Sequence, residues 1–400
     1  MESLRIYIGA HYVLLFERLN FEKRSLSSKI YSQTFLYAII VFVMKTFWKI
    51  LGWIVLLFTP YVSFFEWKVD RFFTHVKSTD RLSDIKDDLL FLMRKNLIVT
   101  NIWMEKKFKG YQYLSKGKRK LMYENAQKIS EKFLKFCETS KIDENFVRAE
   151  IKEKDLTYPE GGTEKIVFLR NIAEFLKLGN LYNYIATSSF GKLLNDPEKE
   201  KLEGDCNQIV TLYIYLFSLK YDINELNIKL LPEHVCLHFR NIDIEATNGT
   251  FVRYRESTDV LPVTEIISTN MLDIPDFREE AVVISPRVMV KSAQLAYATS
   301  SLRSLVEKNL KIAYTNLGNS AYKANDFTAA IFYFEKSGDF EMLKSCYAKE
   351  YNSLIERVSS VKTVVDAKKY KSTYERMLFL AQKMGDSKLE LEVRKILGQM

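Results

Sequence analysis

The clearest structural pattern in the chain lies in residues 204–247, which read GDCNQIVTLYIYLFSLKYDINELNIKLLPEHVCLHFRNIDIEAT. Residues 209–219 are an apolar run of helical length, which predicts a buried helix with Cys206 at its start. The segments 227–231, 234–239 and 242–247 read as strands, and the last two alternate apolar and polar side chains. A helix followed by strands that short turns can join is typical of an α+β fold.

Cys206 stands at a position that activates a thiol. The first turn of a helix carries unpaired N–H groups and the positive end of the helix dipole, and both favour the thiolate form. Gly204-Asp205 before it and Asn207-Gln208 after it argue against a sealed core, although a small buried hydrophobe is the alternative interpretation. The backbone N–H of Cys206 is the first candidate oxyanion donor, and the Gln208 side chain is the second.

The last two predicted strands place imidazoles and carboxylates on one face of the sheet. Successive strand residues point to opposite faces, so the polar positions of both strands share a side. These positions are His234, Cys236 and His238 on one strand and Asp243, Glu245 and Thr247 on the other. If Arg240 and Asn241 form a two-residue loop, His234 stands opposite Thr247 and diagonal to Glu245. A slip of two residues places His234 directly opposite Glu245, so either register keeps the two side chains within reach.

A thiol on a helix tip, an imidazole on one strand and a carboxylate on the next are the parts of nucleophilic catalysis. Three motifs occur in that chain order, namely Gly204-Asp205-Cys206, His234-Val235-Cys236-Leu237-His238 and Glu245-Ala246-Thr247. They resemble the Gly-x-Cys helix start, the strand that begins with His and the strand that ends in Asp-Pro-Thr of the transglutaminase-like superfamily of papain-type cysteine enzymes. The resemblance covers residues 163–252.

The resemblance implies a thiol protease or amidase that forms a thioester with protein or peptide substrates and needs no cofactor. By the same resemblance Cys206 is the nucleophile, His234 the general base and Glu245 the orienting acid. The acid motif departs from the family pattern, because Glu replaces Asp and Ala246 replaces Pro. Asp243 is therefore the substitute acid. Hydrolysis is expected over amide exchange, because water is the simplest second substrate.

Two other interpretations fit the same residues. His234, Cys236 and His238 on one strand face could ligate zinc with Cys206 as the fourth ligand. No ligand pair flanks them, so a metal is not expected. Alternatively, the core could be catalytically inactive and serve as a binding module, because a fold can be retained after its catalytic activity is lost.

Length and composition predict a folded chain of two or three domains. With 400 residues, 47% hydrophobic and 27% charged, the chain can build cores, which excludes global disorder and collagen-like polymers. The net charge of +9 suggests attraction to acidic surfaces without identifying a partner. Four cysteines without a C-x-x-C pair exclude a disulfide scaffold and a zinc ribbon.

An N-terminal region, residues 1–80, contains a predicted membrane segment at about residues 35–65. Residues 35–44 and 50–65 carry no charge, and a spanning helix needs about 20 apolar residues. A span, a re-entrant hairpin and a surface-lying segment all remain open, beside a buried core helix. Four basic residues flank the segment on each side, and this balance is explained most simply if both ends of the segment face the cytoplasm. We therefore expect a membrane-associated protein whose core domain faces the cytoplasm.

Residues 81–157 are predicted to be helical, because apolar residues recur there at helical spacing. Within them, residues 106–120 read KKFKGYQYLSKGKRK and place Phe108, Tyr111 and Tyr113 among seven basic residues. A solvated surface is the default interpretation. Otherwise the patch could contact anionic lipid headgroups or single-stranded nucleic acid. The nearby membrane segment favours lipid, and nucleic acid is the least expected partner.

Residues 158–290 are predicted to form the transglutaminase-like core, and residues 292–400 a helical region. In residues 316–337, Leu317-Gly318, Phe327, Ala330-Ile331 and Phe334 resemble a tetratricopeptide repeat in their spacing. Residues 340–355 and 374–397 match more loosely. The resemblance implies a surface that binds or packs against protein. The alternative function is therefore a catalytically inactive, membrane-tethered scaffold that binds a protein partner through these helices.

Overall fold

The computed structural model describes residues 43–44, 56–187, 189–255, 260–273 and 285–400. The chain forms two compact units, residues 1–61 and 62–400. The second unit combines helices with a five-stranded antiparallel sheet and ends in a set of helices. This confirms the predicted α+β class.

Five α-helices and a π-helix, Glu105–Lys109, form the first part of the second unit. The bounds of the α-helices are Phe64–His75 (α1), Leu82–Met104 (α2), Lys116–Thr139 (α3), Glu144–Glu153 (α4) and Thr163–Phe175 (α5). Ser63, Ser115 and Asp143 each accept a hydrogen bond from a backbone N–H in the first turn of α1, α3 and α4. Such caps satisfy N–H groups that have no partner inside the helix. Helices α2, α3 and α4 occupy the segment that the periodicity predicts to be helical.

A short pair of parallel strands leads to the helix that carries Cys206. Strand β1 is Tyr182–Tyr184, strand β2 is Leu202–Gly204, and a short helix, Phe190–Leu193 (α6), lies between them. Tyr184 pairs with Gly204 at the end of β2. Helix α7, Cys206–Phe217, follows after one residue, and most of its side chains are buried. The predicted buried helix that Cys206 opens is therefore present.

The sheet follows α7 in the chain. Its strands are Asn227–Leu231 (β3), His234–Phe239 (β4), Ile242–Glu245 (β5), Thr250–Val252 (β6) and Val260–Pro262 (β7), in the order β6-β5-β4-β3-β7. Phe239 pairs with Ile242, so Arg240 and Asn241 form the predicted two-residue loop. Arg240 takes a left-handed φ of 57° there.

The register is the first of the two that the sequence predicts, and no slip of two residues occurs. Strand β5 ends at Glu245, two residues earlier than expected, because the chain turns back toward β6. Gly249 closes this turn with a φ of 74°, a backbone conformation that favours glycine. Helix α7 packs against β4, and this packing brings the start of the helix to the strand that begins with His234.

Eight helices follow the sheet within the described residues. Their bounds are Glu265–Leu272 (α8), Pro286–Thr299 (α9), Arg303–Lys323 (α10), Phe327–Ser337 (α11), Phe340–Val358 (α12), Val364–Lys368 (α13), Lys371–Met384 (α14) and Ser387–Gly398 (α15). Helices α10 and α11 pack closely, and a Cβ on Gly318 would lie 2.7 Å from a ring carbon of Phe334. Gly385 ends α14 in a left-handed conformation and Asp386 caps α15, so these two residues form the turn between the two helices.

The predicted membrane segment, about residues 35–65, lies largely outside the described residues. No helix in the described ranges combines the length and the apolar character needed to cross a membrane. The end of the segment, Phe64 and Phe65, belongs to α1, which buries Glu66 and Val69. This end of the apolar run is therefore part of the second compact unit.

The basic stretch of residues 106–120 is partly buried. Arg119 is 2% exposed, and its Nε lies 2.9 Å from Glu66 Oε1. Lys109 and Tyr111 are only 2% and 3% exposed. The expectation of a solvated surface is wrong for these three residues, and for Arg119 the reason is that the Glu66 carboxylate of the distant helix α1 pairs with it in the interior. Helical periodicity cannot reveal such a partner.

Candidate active site

Cys206 is the first residue of α7 and is 9% exposed. The Asp205 carboxylate accepts a backbone N–H of the first turn at 2.9 Å, while Gln208 Oε1 accepts the Asp205 N–H at 2.9 Å. This capping box fixes the helix start and with it the position of the thiol. The Tyr182 hydroxyl donates to the Gly204 carbonyl at 2.8 Å, so the backbone before Cys206 is also held.

The second candidate oxyanion donor, Gln208, is already engaged. Its Nε2 donates to Asp273 Oδ2 at 3.0 Å, while its Oε1 belongs to the capping box. Burial and the neighbouring Asp273 raise the pKa of Asp205 to about 7. The start of α7 therefore carries two interacting carboxyl groups, and the backbone N–H of Cys206 is the better candidate to receive an oxyanion.

His234 begins β4, and its Nε2 lies 2.6 Å from Glu245 Oε2. This is the diagonal contact that the strand register predicts. Because Nε2 faces the carboxylate, Nδ1 is the ring nitrogen that can take a proton from a thiol. Hydrogen bonding with Cys206 and then with Glu245 raises the pKa of His234 to about 10. The structure thus places the His234 ring against Glu245 and beside Cys206, and 25% of the His234 side chain is exposed to solvent.

Glu245 is 5% exposed and accepts hydrogen bonds on both oxygens. Oε2 also accepts the Tyr254 hydroxyl at 2.7 Å, and Oε1 accepts the hydroxyl and the backbone N–H of Thr247. Burial alone raises the pKa of Glu245, but the hydrogen bonds from His234, Thr247 and Tyr254 outweigh it and lower the pKa to about 2. Glu245 is therefore ionised at neutral pH and can hold the imidazole in one orientation.

Asp243, the substitute acid, contacts a different imidazole. Its Oδ1 lies 2.6 Å from His238 Nδ1, and its Oδ2 lies 2.9 Å from Lys229 Nζ. Burial opposes ionisation, but the hydrogen bonds from His238 and Lys229 hold the pKa of Asp243 below its usual value. The structure does not bring Asp243 to His234, so Glu245 is the carboxylate that the geometry pairs with this ring.

Two residues of this region, Lys229 and Tyr254, are absent from the sequence-based prediction. Lys229 lies in the segment NIKLL and pairs with Cys236, so strand alternation contained the signal that places it on the polar face. Tyr254 follows β6 in a segment without regular structure. No periodicity operates there, so the sequence held no signal for its position.

The polar face does not form a metal site. Among the residues that the structure describes, no three His, Cys, Asp or Glu side chains converge so that they could hold a metal ion. His234 and His238 contact different carboxylates, and Cys236 between them is fully buried. Burial and the nearby Asp243 and Glu245 raise the pKa of Cys236 to about 12. Because the two imidazoles contact different carboxylates and the thiol between them is enclosed, this arrangement does not fit the zinc interpretation.

Fold and side chains together define a mixed α+β protein with a cysteine at a helix tip beside an imidazole–carboxylate pair. No protein-family model matches the chain, and neither a curated protein nor a solved structure matches it significantly. A functional assignment must therefore come from the geometry and chemistry of the site.

Proposed function

We propose that this protein is a cysteine hydrolase with a transglutaminase-like core, which cleaves amide bonds of protein or peptide substrates through a thioester on Cys206. The observation that carries the proposal is the 2.6 Å contact between His234 Nε2 and Glu245 Oε2, beside a thiol at the start of α7. The raised pKa of His234, which comes from hydrogen bonding with Cys206 and then with Glu245, supports an imidazolium beside this thiol.

In the proposed reaction, the Cys206 thiolate attacks the amide carbon, a C–S bond forms and the carbonyl oxygen takes the negative charge. The His234 imidazolium donates its Nδ1 proton to the amide nitrogen, so the C–N bond breaks and the amine leaves. Water then gives a proton to neutral His234 and attacks the thioester. The C–S bond breaks, the acid product leaves, and the thiolate and imidazolium are restored. Glu245 stays ionised throughout and holds Nε2.

The backbone N–H of Cys206 is the group that we assign to the developing oxyanion. The first N–H groups of a helix have no partner within the helix, and the dipole there favours negative charge. In α7 the Asp205 side chain accepts a hydrogen bond from the backbone N–H of Asn207. The backbone N–H of Cys206 therefore remains in position for substrate. One preorganised donor of this kind contributes about 3–4 kcal/mol of transition-state stabilisation.

Labelling of Cys206 by iodoacetamide, followed site by site with peptide mass mapping, tests the proposal. His234→Ala should slow the labelling of Cys206 near neutral pH by about tenfold or more, because the thiolate loses its ion-pair partner. His75→Ala is the control, because this exposed histidine lies on α1 and its Nδ1 contacts the Arg71 carbonyl at 2.7 Å instead of a group of the candidate site. Equal labelling of Cys206 in the wild type and in His234→Ala would show that Cys206 and His234 do not act as a catalytic pair.

The other cysteines provide an internal reference in the same experiment. Burial raises the pKa of the Cys137 and Cys346 thiols to about 11, and Cys236 is fully buried. Cys206 should therefore be labelled first near neutral pH. Faster labelling of Cys137 would contradict the assignment of Cys206 as the nucleophile.

A binding scaffold is the second candidate function, because the C-terminal helices expose large apolar side chains. Phe340 is 73% exposed on α12, and Leu391 is 70% exposed on α15. A polar groove of about 520 Å³ lies on the same set of helices, between Thr328, Arg357 and Arg376. If the protein functions as a binding scaffold, the double variant Phe340→Asp/Leu391→Asp should lose the biological effect of the protein in cells. The variant Cys206→Ala should keep that effect. The reverse result supports the enzyme.

Membrane association through residues 35–65 is part of the proposal and is supported by the apolar run in the sequence. The basic residues on both sides of the run support a core domain that faces the cytoplasm. We expect the full chain to stay with the membrane fraction after an alkaline carbonate wash. We expect a variant without residues 35–55 to appear in the supernatant. Release of the full chain by the wash would contradict a membrane-inserted segment.

A further inference from the structure

Tyr254 connects the candidate active site to a buried polar cluster. Its hydroxyl donates to Glu245 Oε2 at 2.7 Å, the same oxygen that lies 2.6 Å from His234 Nε2. Its backbone N–H donates to Asp243 Oδ2 at 2.7 Å, and its carbonyl accepts from Lys229 Nζ at 3.3 Å. One residue is thus held at three points, and two of its partners are the carboxylates of β5.

The cluster on the inner side of Tyr254 is well buried and its hydrogen bonds are made. Asp243 is 1% exposed, Lys229 7% and His238 8%. The Asp243 carboxylate accepts from both neighbours as well as from the Tyr254 backbone, and the Lys229 ammonium balances its charge. Buried polar groups with satisfied hydrogen bonds have few alternative partners and hold their neighbours in place.

We propose that the Lys229–Asp243–His238 cluster holds the backbone of Tyr254, and that the Tyr254 hydroxyl in turn positions Glu245 against His234. Tyr254 is therefore a positioning residue, which acts through Glu245 rather than on the sulfur. The catalytic meaning of this inference rests on the proposed function, whereas its test at His234 does not.

The physical reason lies in how the Glu245 carboxylate is fixed. Thr247 holds Oε1 with two donors, while Tyr254 and His234 share Oε2. Without the Tyr254 hydroxyl, the oxygen that faces His234 has one donor, and the carboxylate can turn away from the ring. A carboxylate held less firmly stabilises the imidazolium less, so the proton affinity of His234 falls.

The experiment is an NMR titration of His234 in Tyr254→Phe. The chain has four histidines, so the His234 signal can be assigned by its loss in His234→Ala. The groups that set its protonation are Cys206 on α7 and Glu245 on β5. We expect the midpoint to fall from about 10 in the wild type by about one pH unit in the variant.

Tyr347→Phe is the matched control, because the Tyr347 hydroxyl also faces a carboxylate, Glu335, at 3.4 Å in the C-terminal helices. It should leave the His234 midpoint unchanged. A rise of the midpoint in Tyr254→Phe would show that the two donors compete for Oε2, and it would overturn the proposal. An unchanged midpoint with a lower melting temperature would overturn it too, since Tyr254 would then serve only stability.

The labelling experiment separates this inference from the proposed function. If Tyr254→Phe leaves the His234 titration unchanged while His234→Ala still suppresses the labelling of Cys206, only the positioning role fails. If His234→Ala labels like the wild type, the proposed hydrolase fails, whatever the titration of Tyr254→Phe shows.

Discussion

Near neutral pH, Asp205 affects the stability of the folded protein in two opposite ways. Its carboxylate caps α7 and so fixes the position of Cys206, which stabilises the helix. Burial and the nearby Asp273 raise its pKa from 3.8 to about 7, so ionisation is disfavoured in the folded state. The stability that comes from this raised pKa is complete below about pH 4 and is lost as the pH rises through 7.

We therefore expect Asp205→Asn to raise the melting temperature at about pH 8 and to change it little at about pH 5. Asn caps helices about as well as Asp, so the helix start is retained while the buried charge disappears. Thermal unfolding followed by circular dichroism at both pH values measures the effect. A gain of the same size at both pH values would show that ionisation of Asp205 is not the cause.

Helices α10 and α11 depend on one small residue where they approach each other. Gly318 faces the ring of Phe334, which is fully buried, and a Cβ there would lie 2.7 Å from the ring. We expect Gly318→Ala to destabilise the protein by about 1–3 kcal/mol, because either the ring or the helix must move. Denaturant unfolding measures this loss.

Gly117 in α3 supplies the control for that variant. A Cβ on Gly117 would meet no heavy atom within 4 Å, so only the loss of backbone freedom in the unfolded chain matters there. Gly117→Ala should stabilise the protein by about 0.4–1 kcal/mol. If both substitutions had the same sign, close helix packing would not explain the effect at Gly318.

Glu265 joins distant parts of the second compact unit. This 2%-exposed carboxylate on α8 pairs with Lys86 on α2, and it also accepts the Ser300 hydroxyl at 2.9 Å and the Ser301 N–H at 2.7 Å. The two serines lie between α9 and α10. One side chain thus connects the early helices, the segment after the sheet and the start of the C-terminal helices.

We expect Glu265→Gln to cost about 3–5 kcal/mol of unfolding free energy, because Lys86 keeps a largely buried charge without its partner. Hydrogen exchange should rise in α9 and α10, which lose their attachment. Glu341→Gln is the control, because its ion pair with Lys344 is exposed and should contribute little. Unchanged exchange in α9 and α10 would show that other contacts hold these helices.

Local sequence patterns were sufficient to predict much of the candidate site. The polar residues before an apolar helical run located Cys206 at a helix start, and strand alternation placed His234 and Glu245 on one face in the observed register. Gly318 and Phe334, two of the residues that the repeat-like spacing singled out, lie against each other between α10 and α11. These features depend on backbone geometry within one element or across one tight turn, and that geometry is set by neighbouring residues.

Other features arose only when distant segments packed together. Tyr254 reaches Glu245 from an irregular segment, and Lys229 on β3 binds Asp243 on β5. The burial of Arg119 against Glu66 has the same origin, since these two residues are 53 positions apart in the chain. Periodicity assigns a side chain to a face, but the partner it meets there depends on which elements cover that face.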